Sequence, residues 1–231
     1  MMIENGGETY RAEECCISIL NGCGAKEVNV IALPTAVIAT AEIDGEMRTE
    51  CASVKNRTIN LSMIDRINAV SRRIAMCEIT VEEGFEILEK RSDESGMRPV
   101  VRALLFSLAS GSFAVIFGGG VGEFIAAYFA AFFCRYFVQF VESITSYNFL
   151  STLGGSMIIA VCARLAAVFY NTIEVEPVII GAIMPLVPGL AMTNALRDTI
   201  NGDLISGLSR GVETLICAIA IASGVAIVLA V

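Results

Sequence analysis

Two prolines interrupt an otherwise apolar stretch of the sequence around residue 187. Pro185 and Pro188 each lack the amide hydrogen that a helix needs and clash with the preceding turn, and Gly189 follows directly. Inside a bilayer the carbonyl groups that such prolines release need other partners, so irregular backbone is tolerated only where it is buried in protein or lines a wet cavity. Broken helices of this kind form ligand sites in secondary transporters. The pattern therefore predicts either a substrate site at a broken span or a plain proline kink.

Polar and charged side chains follow this break: Asn194, Arg197, Asp198, Asp203 and Arg210. The two aspartates lie within reach of the two arginines, and a charge network beside a broken helix could contact a substrate or act as a gate. An ordinary short cytosolic loop could have the same composition. Because arginine is effectively always charged, it suits the binding of an anion or carboxylate better than the relay of protons.

Three further candidate site residues fall within predicted membrane spans. Arg164 lies about two-thirds of the way along the third span, where a charge is costly unless it is paired or hydrated. Glu213, just inside the fifth span, is a possible partner for it, and Glu123 lies near the outer end of the second span. Since the sequence has no histidine, proton coupling would depend on carboxylates, and the candidates are Asp198, Asp203, Glu213 and Glu123.

Several other functions find little support in the residues. The sequence has no Walker loop and no Gly-x-Ser-x-Gly elbow, and the spacing of Cys51, Ser53 and Asp65 does not require a catalytic site. Eight cysteines contain no CxxC pair, so we expect neither a metal site nor a cofactor. The net charge of −8 argues against nucleic acid as a partner. We therefore do not expect an enzyme.

Hydropathy and charge divide the chain into two parts. The sequence is 55% hydrophobic, and 29 of its 40 charged side chains lie in residues 1–102. A helix needs about 20 apolar residues to cross the hydrocarbon core. Five stretches meet this condition, at about 101–117, 121–141, 149–169, 177–196 and 210–231. We therefore predict an α-helical membrane protein in which a cytosolic α+β domain, residues 1–98, precedes a transmembrane domain of about five helices, residues 99–231.

Local signals define the elements of the first domain. The expected order is a helix at 5–21, strands at 28–33, 37–43 and 47–54, a helix after residue 60 and a helix at about 81–91. Asp44-Gly45 predicts a type I′ hairpin turn, since both positions need positive φ. Asn60 is expected to cap the second helix, and Thr80 with Glu83 forms a capping box for the third. The apolar face of the second helix is expected to include Leu61, Ile64, Ile67, Ala69, Val70 and Ile74.

The distribution of basic residues predicts the orientation in the membrane. Lys90, Arg91, Arg98 and Arg102 cluster before the first span, whereas the connection after the third span holds Glu174 and Glu176 and no base. Because basic loops stay on the cytoplasmic side, we expect a multi-pass protein of the inner (cytoplasmic) membrane with its N-terminus in the cytoplasm.

The sequence resembles the threonine/serine exporter family over nearly its whole length. The residues that carry the resemblance are Gly6-Gly7-Glu8-Thr9, Arg11, Glu13-Glu14, Pro34-Thr35, Met184-Pro-Leu-Val-Pro-Gly189, Asn194, Arg197-Asp198, Gly202-Asp203, Gly207 and Arg210. The resemblance implies a cytosolic N-terminal domain, membrane helices and proton-driven export of small polar amino acids. Some related two-component systems are thought to export dicarboxylates such as succinate.

The resemblance also implies a partner. Full-length members carry about ten spans in two halves, and this chain resembles the first half. A second small membrane subunit of about four spans, or self-association into a homo-oligomer, would complete the transporter.

The leading hypothesis is an exporter subunit that binds threonine, serine or a small carboxylate near the broken fourth span. The alternative is a non-transporting membrane scaffold or sensor that acts through its cytosolic domain.

Overall fold

The chain forms two compact units that each draw on separate parts of the sequence. The structure, a computed structural model, describes residues 1–55, 58–90, 98–144 and 148–230. The first unit comprises Met1–Ser95 and Leu190–Gly211, and the second comprises Gly96–Gly189 and Val212–Val231. The first unit thus includes a segment that follows the predicted broken span. The sequence-based boundary at residue 98 separates a cytosolic from a transmembrane domain, and it stays a prediction.

The first unit contains a three-stranded antiparallel sheet and three helices from the N-terminal part. They are α1 (Thr9–Gly22), β1 (Lys26–Leu33), β2 (Ala36–Ile43), β3 (Glu46–Ser53), α2 (Leu61–Ala75) and α3 (Val81–Lys90). The sheet order is β1-β2-β3. Asp44 and Gly45 have φ of 55° and 81°, and Ile43 pairs with Glu46 across the turn. This geometry confirms the predicted hairpin.

The start of α1 differs from the prediction. A short 3₁₀ turn, Ile3–Asn5, ends at Gly6, whose φ of 86° is left-handed and cannot continue a helix. The helix therefore begins at Thr9 and not at Asn5. The N-terminal segment, Gly6–Thr9, thus consists of the three residues that follow the turn and the first residue of α1.

The predicted caps of α2 and α3 are both formed. The Asn60 side chain accepts a hydrogen bond from the Met63 amide at 3.0 Å. The Thr80 amide donates to Glu83 Oε2 at 2.9 Å, and the Glu83 amide donates to Thr80 Oγ1 at 3.2 Å. Each cap satisfies backbone donors that a helix leaves unpaired at its start.

The core of the first unit lies on one face of α2. Its buried side chains include Met63, Ile64, Ile67, Val70 and Ile74, with Met2, Ile3, Ala12, Ala32 and Leu88 packed around them. Leu61 and Ala69, expected on this face, are exposed, because the buried stripe runs through Met63 instead.

Most of the remaining helices are long and apolar. They are α4 (Pro99–Ile116), α5 (Val121–Ile144), α6 (Asn148–Phe169), α7 (Val175–Ile183), α8 (Gly189–Ile200) and α9 (Leu204–Leu229). Among the described residues, α4, α5, α6 and α9 are each long and apolar enough to cross a membrane. Val175–Leu186 together with Gly189–Ile200 forms a bent pair that makes a fifth span if it counts as one. The predicted fold class is confirmed, although α9 begins at Leu204, earlier than the predicted start at about 210.

Small side chains let the helices of the second unit approach closely. Its core is rich in alanine, with Ala114, Ala127, Ala131, Ala160 and Ala182 fully buried. A Cβ atom at Gly181 would lie 2.6 Å from the Ala114 Cα atom, so α7 and α4 touch through their backbones. Membrane helices associate through such close packing because lipid provides no hydrophobic driving force.

Candidate functional site

The backbone leaves the helical path at the two prolines. After α7 ends at Ile183, residues Met184–Leu186 form a 3₁₀ turn, Val187 is extended and α8 begins at Gly189. The Val187 amide still donates to the Met184 carbonyl, at 3.2 Å. Pro185 has no amide hydrogen for the carbonyl of Gly181, four residues before it. The segment is therefore an interrupted helix.

An apolar groove lies beside this interruption within the second unit. It has a volume of about 390 Å³ and is lined by Ile179, Ile183, Val187, Pro188, Ala218, Ile221, Ala222, Val225, Ala226 and Leu229. None of these side chains carries a charge or a strong hydrogen-bonding group. A polar solute at this point would depend on backbone carbonyls, and the charged side chains lie further along α8.

The N-terminal segment Gly6–Thr9 packs against α8 and the start of α9 within the first unit. Asn194 Nδ2 donates to the Gly6 carbonyl at 3.1 Å, and an Arg210 guanidinium nitrogen donates to the Gly7 carbonyl at 2.7 Å. Both side chains are buried. Two of the predicted site residues therefore hold backbone that lies nearly 200 positions earlier in the sequence.

The next two residues of the segment form side-chain contacts. Arg197 forms a hydrogen-bonded ion pair with Oε1 of Glu8. The Glu8 side chain is only 7% exposed, whereas that of Arg197 is 52% exposed. The Thr9 hydroxyl lies 3.3 Å from Asp203 Oδ2. The Arg197 guanidinium thus reaches solvent while a buried carboxylate of the same chain occupies one side of it.

A second ion pair lies deeper in the unit. Arg210 Nε lies 3.3 Å from Asp198 Oδ2, and Asp198 is fully buried. Asn194, Arg197 and Asp198 share one face of α8, since residues three and four apart in a helix are neighbours. Of the pairings considered among Arg197, Asp198, Asp203 and Arg210, the structure shows that of Asp198 with Arg210. Arg197 instead contacts Glu8, and Asp203 contacts Thr9.

Two glycines and a close helix contact position this cluster. A Cβ at Gly7 would lie 2.7 Å from the Met2 Cγ atom and 2.9 Å from the Met2 carbonyl oxygen, so a larger residue would displace the segment. A Cβ at Gly207 would overlap the Thr199 hydroxyl and lie 2.8 Å from the Ala195 carbonyl oxygen. The glycine at position 207 therefore lets the start of α9 lie directly against α8.

The charges of the cluster balance. Glu8, Asp198 and Asp203 face Arg197 and Arg210, and Arg11 lies 3.6 Å from Glu8, so the net charge is zero when all six groups are ionised. Burial, and next the neighbouring Glu8 carboxylate, raise the pKa of the Tyr10 phenol. Within the described residues no group of three or more His, Cys, Asp or Glu side chains is arranged to hold a metal ion.

Glu123, a proton-coupling candidate, is engaged in helix capping. Its Oε2 accepts a hydrogen bond from the Gly120 amide at 2.7 Å and its Oε1 accepts one from the Glu174 amide at 3.0 Å. Gly120 precedes α5 and Glu174 is the N-cap of α7. One buried carboxylate therefore satisfies an orphan donor at the start of two helices.

Arg164 contacts the C-terminal end of α9, whereas Glu213, its suggested partner, lies nearer the other end of that helix. Its guanidinium donates to the Val228 carbonyl at 2.9 Å. Glu213 lies fifteen residues earlier in the same helix, which is about 22 Å along its axis. The suggested pairing of Arg164 with Glu213 is therefore wrong, and Arg164 instead satisfies a carbonyl in the last turn of α9.

Sequence reasoning missed the contribution of the N-terminal segment to this site. In the sequence, Gly6, Gly7, Glu8 and Thr9 stand out only through the family resemblance, and no charge or spacing signal links them to residues 194–210. The link is a tertiary contact, and the resemblance of both segments to one family is its only indication in the sequence.

Comparison with known proteins identifies the family of the chain. The sequence model of the family described as "Putative threonine/serine exporter" matches residues 1–231. Neither the curated proteins nor the solved structures contain a match to this chain. The family is one of transporters and not of enzymes, and its substrates are small and polar. The chain, whose apolar helices mark it as a multi-pass membrane protein, belongs to the threonine/serine exporter family.

Proposed function

We propose that this chain is a subunit of a secondary transporter that exports threonine and serine, or small carboxylates, and that proton movement drives the export. The observation that carries the proposal is the interruption at Pro185–Gly189, which leads directly into a helix whose one face carries Asn194, Arg197 and Asp198. An interrupted helix followed by fixed charges offers both backbone and side-chain ligands to a small zwitterion.

Arg197 is the proposed contact for the carboxylate of the substrate. Its guanidinium is half-exposed, and its planar fork matches a carboxylate in two parallel hydrogen bonds. It lies on α8, eight residues after Gly189. Pro185, Pro188 and Gly189 are the proposed backbone contacts at the break.

The aspartates are the proposed sites of proton coupling. Asp198 is fully buried beside Arg210, and Asp203 is partly buried beside Thr9. A buried carboxylate that alternates between an arginine partner and a proton changes the charge of the cluster by one unit. Glu213 is a further candidate, whereas Glu123 is committed to two helix amides.

Assembly and orientation follow the same proposal. Four to five candidate spans are few for a complete carrier built from two repeats, so we propose that a second membrane subunit of about four spans, or a second copy of this chain, completes the path. The protein is placed in the inner (cytoplasmic) membrane with its N-terminus in the cytoplasm, an orientation that the basic residues before α4 favour.

Transport by purified protein tests the proposal. The chain is reconstituted into vesicles alone, and together with a candidate second membrane subunit of about four spans, and labelled threonine, serine and succinate are followed with and without a pH gradient. We expect gradient-dependent flux of at least one of the three, lost when a protonophore is added. An absence of flux for all three in both preparations would contradict the transporter proposal.

A scaffold or sensor acting through its N-terminal domain is the competing function. Deleting residues 1–95 would not separate the two functions, because Asn194 and Arg210 bind the Gly6 and Gly7 carbonyls within one unit. A point substitution at Arg197 is a cleaner experiment, since the side chain is exposed and its loss leaves the fold of the unit in place. A sensor would keep its output in that variant, whereas a transporter would lose flux.

A further inference from the structure

Four consecutive residues of the N-terminal segment each bond to a different residue of the candidate site. Gly6 binds Asn194, Gly7 binds Arg210, Glu8 binds Arg197 and Thr9 binds Asp203. All four partners belong to the polar residues after the break, which are candidate substrate or gating residues. The segment therefore contacts Arg197, the proposed ligand of the substrate carboxylate, and Asp203, a proposed site of proton coupling.

The contact with Glu8 has the chemistry of a bound substrate. A free amino acid or dicarboxylate presents a carboxylate to a guanidinium, and Glu8 presents the same group from within the chain. Arg197 is half-exposed, so a carboxylate from solution can reach it while Glu8 is in place.

Glu8 has a second partner that can receive it. Its Oε2 lies 3.6 Å from the Arg11 guanidinium, one turn further along α1, and the Arg11 side chain is 37% exposed. A buried carboxylate is costly when it is left without a partner. Because Arg11 is already close, Glu8 can leave Arg197 without becoming an unpaired charge.

We propose that Glu8 is a built-in competitor for the substrate carboxylate. When an α-amino acid or dicarboxylate binds Arg197, Glu8 moves to Arg11 and the segment Gly6–Thr9 is released from α8. In the absence of substrate the segment closes the site, which limits leakage through the carrier. This inference rests on the proposed transport function and adds an autoinhibitory contact to it.

Transport kinetics of Glu8→Gln test the competition. Removal of the competing charge should lower the KM for threonine about three- to fivefold, because more of the protein has a free Arg197, while the maximal rate stays within about twofold. Glu8→Asp, which keeps the charge, should keep the KM closer to that of the wild type than Glu8→Gln does. Glu50→Gln, an exposed carboxylate of the same unit, is the matched control and should leave the KM unchanged.

A purely structural role for Glu8 gives a different result. In that case Glu8→Gln would lower the maximal rate or the yield of folded protein, with the KM unchanged or raised. Either result would overturn the proposal of competition while leaving the transport function intact, provided that the wild-type protein carries threonine in the same vesicles.

Hydrogen–deuterium exchange provides a readout that is independent of transport. The amides of Gly6 and Gly7 are bonded within the N-terminal turn, to Ile3 and Met2. Millimolar threonine or succinate should increase exchange in residues 2–9 of the wild-type protein and not of Arg197→Gln. Unchanged exchange in the wild type would overturn the proposal. Increased exchange without any flux would support the carboxylate site and instead contradict the transport function.

Discussion

Arg210 and Asp198 form an ion pair, with Nε 3.3 Å from Oδ2, in which neither side chain is more than 9% exposed. The pair joins α8 to α9 across the short turn that contains Gly202, whose φ of 95° is left-handed. The desolvation of two charges is costly, so such a pair adds little by itself. Removal of one partner, however, leaves the other as an uncompensated buried charge.

Asp198→Asn should therefore destabilise the protein by about 3 kcal/mol, since breaking a buried pair costs about 3–5 kcal/mol. Thermal or denaturant unfolding in detergent measures the loss. The double variant Asp198→Asn with Arg210→Met should recover part of it, because the unpaired charge is gone. Asp65→Asn, an exposed aspartate of α2, is the control. Equal stability of Asp198→Asn and the wild type would show that the pair is not formed.

Two glycines one turn apart in α9 make a matched comparison. Gly207→Ala should destabilise the protein by about 1–3 kcal/mol, because its Cβ would overlap Thr199 and push α8 away. A Cβ at Gly211 meets no atom within 4 Å, so Gly211→Ala should be neutral or stabilising by up to about 1 kcal/mol. Unfolding measured on both variants checks the difference, and equal effects would contradict close packing of α8 on α9.

Substitution of Glu123 should affect stability more than proton coupling. Glu123→Ala removes two hydrogen bonds to a charged group, each worth about 1.5–3 kcal/mol, and should lower the melting temperature clearly. Glu123→Gln keeps an acceptor oxygen and should be milder. Glu142→Ala, an exposed residue near the end of α5, serves as the control. A stable Glu123→Ala protein that transports without a pH gradient would instead assign the carboxylate to coupling.

The interruption of the helix is open to a direct test. Pro185→Ala with Pro188→Ala restores two amide hydrogens and favours a continuous helix, so flux should fall while the protein stays folded. Pro177→Ala is the matched control, because Pro177 lies in the first turn of α7, where a missing amide hydrogen costs nothing. Full flux in the double variant would show that the break is not part of the transport path.

Local signals in the sequence were sufficient for much of the fold. The hairpin at Asp44-Gly45, the caps at Asn60 and Thr80 and the long apolar helices all depend on residues within a few positions of each other. The break at Pro185–Gly189 is also a local feature, because a proline alters the backbone at its own position. Such features follow from the chemistry of short segments and need no knowledge of the tertiary structure.

The remainder depends on contacts between distant parts of the chain. No local pattern indicates that Glu8 would pair with Arg197, or that Arg164 would bind the carbonyl of Val228. Hydropathy assigns helix α8 to a predicted span. From Leu190 onward, α8 belongs to the same compact unit as the N-terminal residues. Contacts between distant segments are decided by packing, which hydropathy and charge do not specify.

Efflux of threonine from cells with Arg197 variants directly tests whether Arg197 binds the carboxylate of the substrate. Cells loaded with a threonine-containing dipeptide accumulate threonine, and its appearance in the medium is followed for the wild type, Arg197→Ala and Arg197→Lys at equal amounts of membrane-inserted protein. We expect Arg197→Ala to reduce export to the level of cells without the protein, and Arg197→Lys to retain partial export. Export by Arg197→Ala at the wild-type rate would show that Arg197 is not the contact for the substrate carboxylate.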